Sequence, residues 1–168
     1  MKMTKKIALS AILIALALAL SYTERFIPLQ LVIPLPGIKL GLANIVTLVA
    51  LCLLGRKDTI WIVVMRCMMG AIFGGGISGL FFSLTGGLLS LVVMTFAEKM
   101  KKLSIYGISI LGAAAHNMGQ ICAAMALMQT VYIGAYLPYL LIVALFTGFA
   151  TAAAASGILK ILPKVVKQ

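Results

Sequence analysis

Four polar side chains of a kind that can bind or hydrogen-bond a ligand interrupt long apolar runs in this sequence. Arg66 breaks one run, and His116, Asn117 and Gln120 break another. Lys39 and Asn44 occur in a third, Pro36-Gly37-Ile38-Lys39-Leu40-Gly41-Leu42-Ala43-Asn44, and Glu24 and Arg25 precede it. The chemistry available is recognition of an anion: Lys39 and Arg66, with Arg25, can neutralise a carboxylate or phosphate. His116, Asn117 and Gln120 supply directional hydrogen bonds, and His116 and Gln120 share a helical face one turn apart. Met65, Met69, Tyr132 and Tyr136 are candidates for the apolar part of such a pocket.

Each group also has a purely structural reading. An arginine deep in a bilayer costs ~2.5–3.5 kcal/mol on insertion scales, so Arg66 either faces a polar cavity or pairs with backbone carbonyls or a carboxylate such as Glu98. The polar trio on one helix can serve as interhelical hydrogen-bonding glue, worth about 0.6 kcal/mol per contact. Lys39 can snorkel to the headgroups. The acids number three, Glu24, Asp58 and Glu98, and there is one histidine. Paired carboxylates, an acidic metal–diphosphate motif, a Ser/His/Asp set and a Walker motif are all missing from the sequence. Catalysis by this polypeptide, a metal site and a bound cofactor are therefore not expected.

These residues have to be positioned by helices in lipid. The chain is 168 residues long, 63% apolar and 10% charged, well above the ~45–50% apolar content of soluble domains. Its apolar runs are continuous and do not alternate, which disfavours a porin-like barrel. The expectation is a single all-α integral membrane domain over 1–168 with six transmembrane helices, at about 7–23, 39–54, 59–74, 80–97, 105–131 and 136–162. The prolines at 28, 34 and 36 mark a connection, Gly55-Arg56-Lys57-Asp58 a stop, and the glycine-rich stretch from Gly74 to Gly79 a tight external turn. The three cysteines lie inside apolar runs and read as small packing residues. The first run could be a signal peptide cleaved near Ala19-Leu20-Ser21, but Ala11, Ala15 and Ala19 at four-residue spacing favour a retained helix with a smooth packing stripe.

The net charge is +11, and the positive residues flank apolar runs, which points to membrane anchoring and away from nucleic acid. With six spans, the two termini and the loops on one side carry Lys2, Lys5, Lys6, Arg56, Lys57, Lys99, Lys101, Lys102, Lys160, Lys164 and Lys167. These are eleven of the fourteen Lys and Arg residues. The positive-inside rule then puts both termini in the cytoplasm of a multi-pass protein in the cell membrane.

The lysine-rich start, the alanine-spaced first helix, Glu24 after it and the Pro36–Asn44 stretch together resemble the Gx transporter family. That family is also labelled heptaprenyl diphosphate synthase component I, and is grouped with the substrate-binding (S) components of energy-coupling factor transporters. The resemblance covers nearly the whole chain and implies an S-component-like bundle that captures a small vitamin-like, quinone- or isoprenoid-precursor molecule from the outer side. It implies as partners a transmembrane coupling protein and two ATPase subunits, docked through Ala11, Ala15 and Ala19. It also implies a binding set of Glu24, Arg25, Lys39, Asn44, Arg66, His116, Asn117 and Gln120. Two other readings stay open: a non-transporting membrane subunit associated with prenyl diphosphate or quinone biosynthesis, and a self-sufficient channel or secondary transporter.

Overall fold

The computed structural model describes residues 3–26 and 39–166, apart from the side chains of Arg25 and of 163–166. The prolines at 28, 34 and 36, together with Lys2 and Lys167, lie outside the described residues, as does the side chain of Lys164. Six α-helices are described: α1 (Met3–Thr23), α2 (Asn44–Leu54), α3 (Arg56–Gly70), α4 (Gly76–Lys99), α5 (Ile105–Met128) and α6 (Leu137–Val166). Short 3-10 turns, Glu24–Phe26 and Val131–Tyr136, follow α1 and precede α6. No strand occurs among the described residues.

Four stretches are long and apolar enough to cross a membrane: Met3–Thr23, Arg56–Lys99, Ile105–Met128 and Val131–Leu162. Their outward faces carry large apolar side chains, among them Ile12, Trp61, Ile72, Phe146 and Phe149, a surface that lipid covers and water would not. The chain is thus an all-helical, multi-pass membrane protein.

The 44-residue stretch Arg56–Lys99 is bent back on itself. A π-helical turn at Ala71–Gly75 takes non-helical dihedrals at Phe73 and Gly74, where φ is +102° and only glycine is comfortable. Val63 and Arg66 of α3 consequently pack against Gly87 of α4. The expected external turn at 74–79 is therefore earlier, since Gly76 already starts α4. The expected stop at 55–58 shrinks to Gly55 alone, whose φ of +80° turns the chain directly from α2 into α3. Arg56, Lys57 and Asp58 form the first turn of α3, where the aspartate is stabilised by the helix dipole.

α2 differs most from expectation. It starts at Asn44, five residues after Lys39, and its 11 residues span about 16 Å, half of a hydrocarbon core of ~30 Å. Residues 39–43 are non-helical, with Gly41 at φ +83°.

The order of packing fixes which ends lie together. Lys6 of α1 pairs with Asp58 of α3 at 2.8 Å, and Leu18 of α1 lies beside Gly70 of α3, so these two helices run parallel. α4 and α5 are antiparallel, with Gly119 so close to α4 that a Cβ there would sit 2.7 Å from the Thr85 carbonyl oxygen. Ala115, Gly119 and Ala123 are all buried, the small-residue face expected from their spacing. α6 runs antiparallel to α5 through a Ser109–Thr151 hydroxyl pair at 2.7 Å and a bond from the Asn117 amide to the Leu140 carbonyl. Lys6, Arg56, Lys57, Lys99, Lys101, Lys102 and Lys160 therefore gather at one end of the bundle, and Lys39 and Arg66 stand apart from them.

Candidate functional site

The non-helical segment 39–43 enters the bundle and is held there by side chains far away in sequence. The Lys39 N–H donates to Gln120 Oε1 of α5 at 3.2 Å, and Lys39 Nζ reaches Ser83 Oγ of α4 at 2.9 Å. Lys39 is therefore engaged with α4 and α5 and does not simply snorkel to a headgroup. The Leu42 N–H donates to the Glu24 carboxylate, satisfying a backbone group that would otherwise be orphaned just ahead of α2. Glu24 is 4% exposed and lies just beyond the first span. Burial pushes its carboxyl up to about 7, against the pull of the Leu42 N–H and of the Lys39 and Arg66 cations.

Gly41 is where this segment meets α5. A Cβ there would lie 2.9 Å from His116 Cδ2 and 3.0 Å from the Asn44 amide nitrogen, so the site requires glycine for space as well as for its positive φ. On the other side of the imidazole is α4: a Cβ on Gly86 would lie 2.9 Å from His116 Nδ1. The next residue, Gly87, leaves the same clearance for Arg66, with Nη2 at 3.0 Å from a Cβ built there. Two adjacent glycines of α4 thus admit the imidazole of α5 and the guanidinium of α3 to one location. His116 Nε2 lies 3.1 Å from Gln120 Nε2. With the amide nitrogen as donor, Nε2 accepts and the ring proton belongs on Nδ1.

Three members of this cluster, Arg66, Asn44 and His116, are buried with polar atoms unmatched. Arg66 is 5% exposed and Asn44 2%. Arg66 Nε and Nη2, His116 Nδ1 and both amide atoms of Asn44 meet no hydrogen-bond partner among the described residues. An unsatisfied buried polar group costs ~1–3 kcal/mol, and more when charged, so such groups call for an explanation in terms of function, water or ligand. Three described cationic or acidic groups converge here, Lys39, Arg66 and Glu24, with the two cations outnumbering the one carboxylate. The arrangement can bind an anion, with Asn44, His116 and Gln120 available for directional contacts.

Glu24, Lys39, Asn44, Arg66, His116 and Gln120 are thus brought together. Asn117 is not: its amide nitrogen donates to the Leu140 carbonyl at 2.8 Å and faces α6. The Arg25 side chain lies outside the described residues. Glu98, offered as a partner for Arg66, is near the end of α4, and the carboxylate that Arg66 acts on is Glu24. Met65 and Tyr132 are exposed, and Tyr136 packs on a separate apolar cluster around Ile133 and Leu140, so none of these lines the site. Ala11, Ala15 and Ala19 are all exposed on α1, opposite its buried Leu13 and Ala17. Sequence reasoning missed Ser83 and the Gly86-Gly87 pair. The available signal was two adjacent glycines inside a 24-residue helix, where each costs about 1 kcal/mol of helix propensity relative to alanine.

The family model described as heptaprenyl diphosphate synthase component I matches residues 13–158. No curated protein and no solved structure matches the chain.

Proposed function

The chain belongs to the heptaprenyl diphosphate synthase component I family, and on that premise we propose that it is the substrate-capturing membrane subunit of an energy-coupling factor type transporter. The observation that carries this reading is the cation-rich cluster of buried Glu24, Asn44, Arg66, His116 and Gln120 with half-buried Lys39, in which Arg66, Asn44 and His116 keep unmatched polar atoms. A site with a few convergent polar anchors inside apolar walls suits a small anionic molecule. The cluster lies away from the end of the bundle where Lys6, Arg56, Lys57, Lys99, Lys101, Lys102 and Lys160 gather. In a six-span arrangement with both termini cytoplasmic, cargo would enter from the outer side. The word synthase in the family's description fits poorly with a chain of three acidic residues, because diphosphate chemistry on Mg²⁺ draws on carboxylate clusters. We therefore read the polypeptide as non-catalytic.

Energy would come from separate subunits: a transmembrane coupling protein and two ATPases, docked on the exposed Ala11, Ala15 and Ala19 face of α1. The test is co-purification with coupling subunits and ATP-dependent uptake into vesicles. Ala11→Leu and Ala15→Leu should abolish association, and normal association in both would sink the proposal.

A second reading is favoured by the lysine- and arginine-rich end of the bundle together with the family's description: a non-transporting subunit that holds a prenyl diphosphate or quinone enzyme at the membrane. It predicts salt-sensitive association with a soluble synthase, lost on replacing Lys99, Lys101 and Lys102 with glutamine.

A further inference from the structure

A cavity of about 530 Å³ lies beside the polar cluster, between the upper halves of α1 and α3. Its walls include Ala15, Leu18 and Ala19 of α1, Gly70 at the end of α3 and Phe73 in the π-helical turn that follows, and Lys39 also borders it. The walls are apolar, the size is that of a site for a drug-sized ligand, and the rim residues Tyr22 and Phe73 are exposed. The small residues make the room: a Cβ on Gly70 would come no closer than 3.7 Å to Leu18. The break at Phe73 and Gly74, in the π-helical turn that follows α3, lies next to it.

Lys39 belongs to both places. It lines the cavity, and its backbone and ammonium groups are the ones bonded to Gln120 and Ser83 in the cluster. Arg66 is one helical turn below Gly70 on α3, on the same face, buried and with unmatched donors. An apolar cavity therefore adjoins the buried Arg66 cluster, with Lys39 common to both.

We propose that the ligand is an amphipathic anion, its carboxylate- or phosphate-type head held by Arg66 and Lys39 and its apolar body lying in the cavity between α1 and α3. This deepens the proposed function and rests on reading the Arg66 cluster as a ligand site. It also has a consequence for α1: Ala15 and Ala19 form the wall of the loaded chamber as well as part of the exposed helix face, so cargo and docking partner contact one helix. A pocket with apolar walls gains affinity as more of the tail is removed from water.

The experiment measures binding of octyl phosphate, inorganic phosphate and 1-octanol to the purified full-length protein in nanodiscs, without coupling subunits. Octyl phosphate should bind at least tenfold more tightly than either of the others. Arg66→Gln should lose both phosphate-bearing probes. Gly70→Leu and, independently, Ala19→Phe should bring octyl phosphate down to the level of inorganic phosphate, whose retained binding reports that the variants are folded. Equal binding of octyl phosphate and inorganic phosphate overturns the proposal, as does equal binding of octyl phosphate and octanol, or indifference of octyl phosphate to both cavity-filling variants. Displacement of octyl phosphate by dioleoyl phosphatidic acid at equal mole fraction would mark a bilayer headgroup site and overturn it too. Failure of the chain to associate with coupling subunits would leave these ratios unaltered, so the transport reading and this one fail separately.

Discussion

The two sides of the bundle treat their buried polar groups differently. Where α5 meets α6, each polar side chain named here is matched: Asn117 with the Leu140 carbonyl, Ser109 with Thr151. The α4–α5 contact is close enough that Gly119 has no room for a Cβ. Where α1, α2 and α3 meet the segment 39–43, a helix starts halfway through the bundle, a cavity opens, and Arg66 and Asn44 keep unmatched atoms. Similar residue types thus act as glue in one region and stand ready for a ligand in the other. A protein that must hold its shape while loading a ligand can divide its structure this way, because local opening is confined to the region with less complementary packing.

The contrast breaks most visibly at Gly119. Gly119→Val drives a side chain into backbone at Thr85 and Gly86, where nothing can rotate away. A destabilisation of about 3 kcal/mol is expected, at the upper end of overpacking costs, measured as a lower midpoint of thermal unfolding in detergent. An unchanged midpoint would show that the α4–α5 contact is looser than described.

Arg66→Gln should do the opposite. Removing a buried, incompletely matched charge leaves stability unchanged or raises it by about 1 kcal/mol, while binding of an anionic probe falls by at least tenfold. A matched loss of both would make Arg66 structural glue like Asn117. Asn117→Leu is the converse case: about 0.6 kcal/mol of stability is lost with the interhelical bond, and probe affinity stays where it was. The same unfolding and binding assays read both variants.

These differences were only partly legible in the sequence. Continuous apolar runs separated by charged turns located the helices, because hydropathy in lipid depends on local composition. The start of α2 was not legible: Leu40, Gly41, Leu42 and Ala43 look like helix in lipid. The partners that hold them out of one, Glu24 and Gln120, are far off in the chain. Arg66, His116 and Gln120 stood out because a polar group in hydrocarbon needs a reason. Asn117 stood out equally, yet adjacent helical positions differ by about 100° in direction, and that rotation sends it to α6. Gly86 and Gly87 were hidden, since small residues are common in membrane helices for packing alone.

Gly87→Ala tests the clearing itself. The added methyl would meet Arg66 Nη2 at 3.0 Å, at the far end of a flexible side chain that can move. Stability should change by less than about 1 kcal/mol, and affinity for the anionic probe should fall a few-fold as the guanidinium is displaced. If affinity is unaffected, Arg66 does not act from the position it occupies here.

The smallest effect, and the one that reads the charge balance most directly, is with pH. Burial holds the Glu24 carboxyl at about 7, up from 4.5, against the Leu42 N–H, the Lys39 and Arg66 cations and the Gly41 N–H. Below that pH the carboxyl is protonated and the two cations act on an anion unopposed. As pH rises through about 7 the carboxylate forms and offsets one of them. Affinity for an anionic probe should therefore decline a few-fold between pH 6 and pH 8, a modest change because Glu24 lies beyond the end of α1 and not inside a span. Glu24→Gln should keep the tighter binding and remove the slope, provided its amide oxygen still accepts from the Leu42 N–H. A slope that persists in that variant would assign the titration to another group. Without a slope even in the unmodified protein, Glu24 would be left as a cap for the segment entering α2 and no part of the anion site.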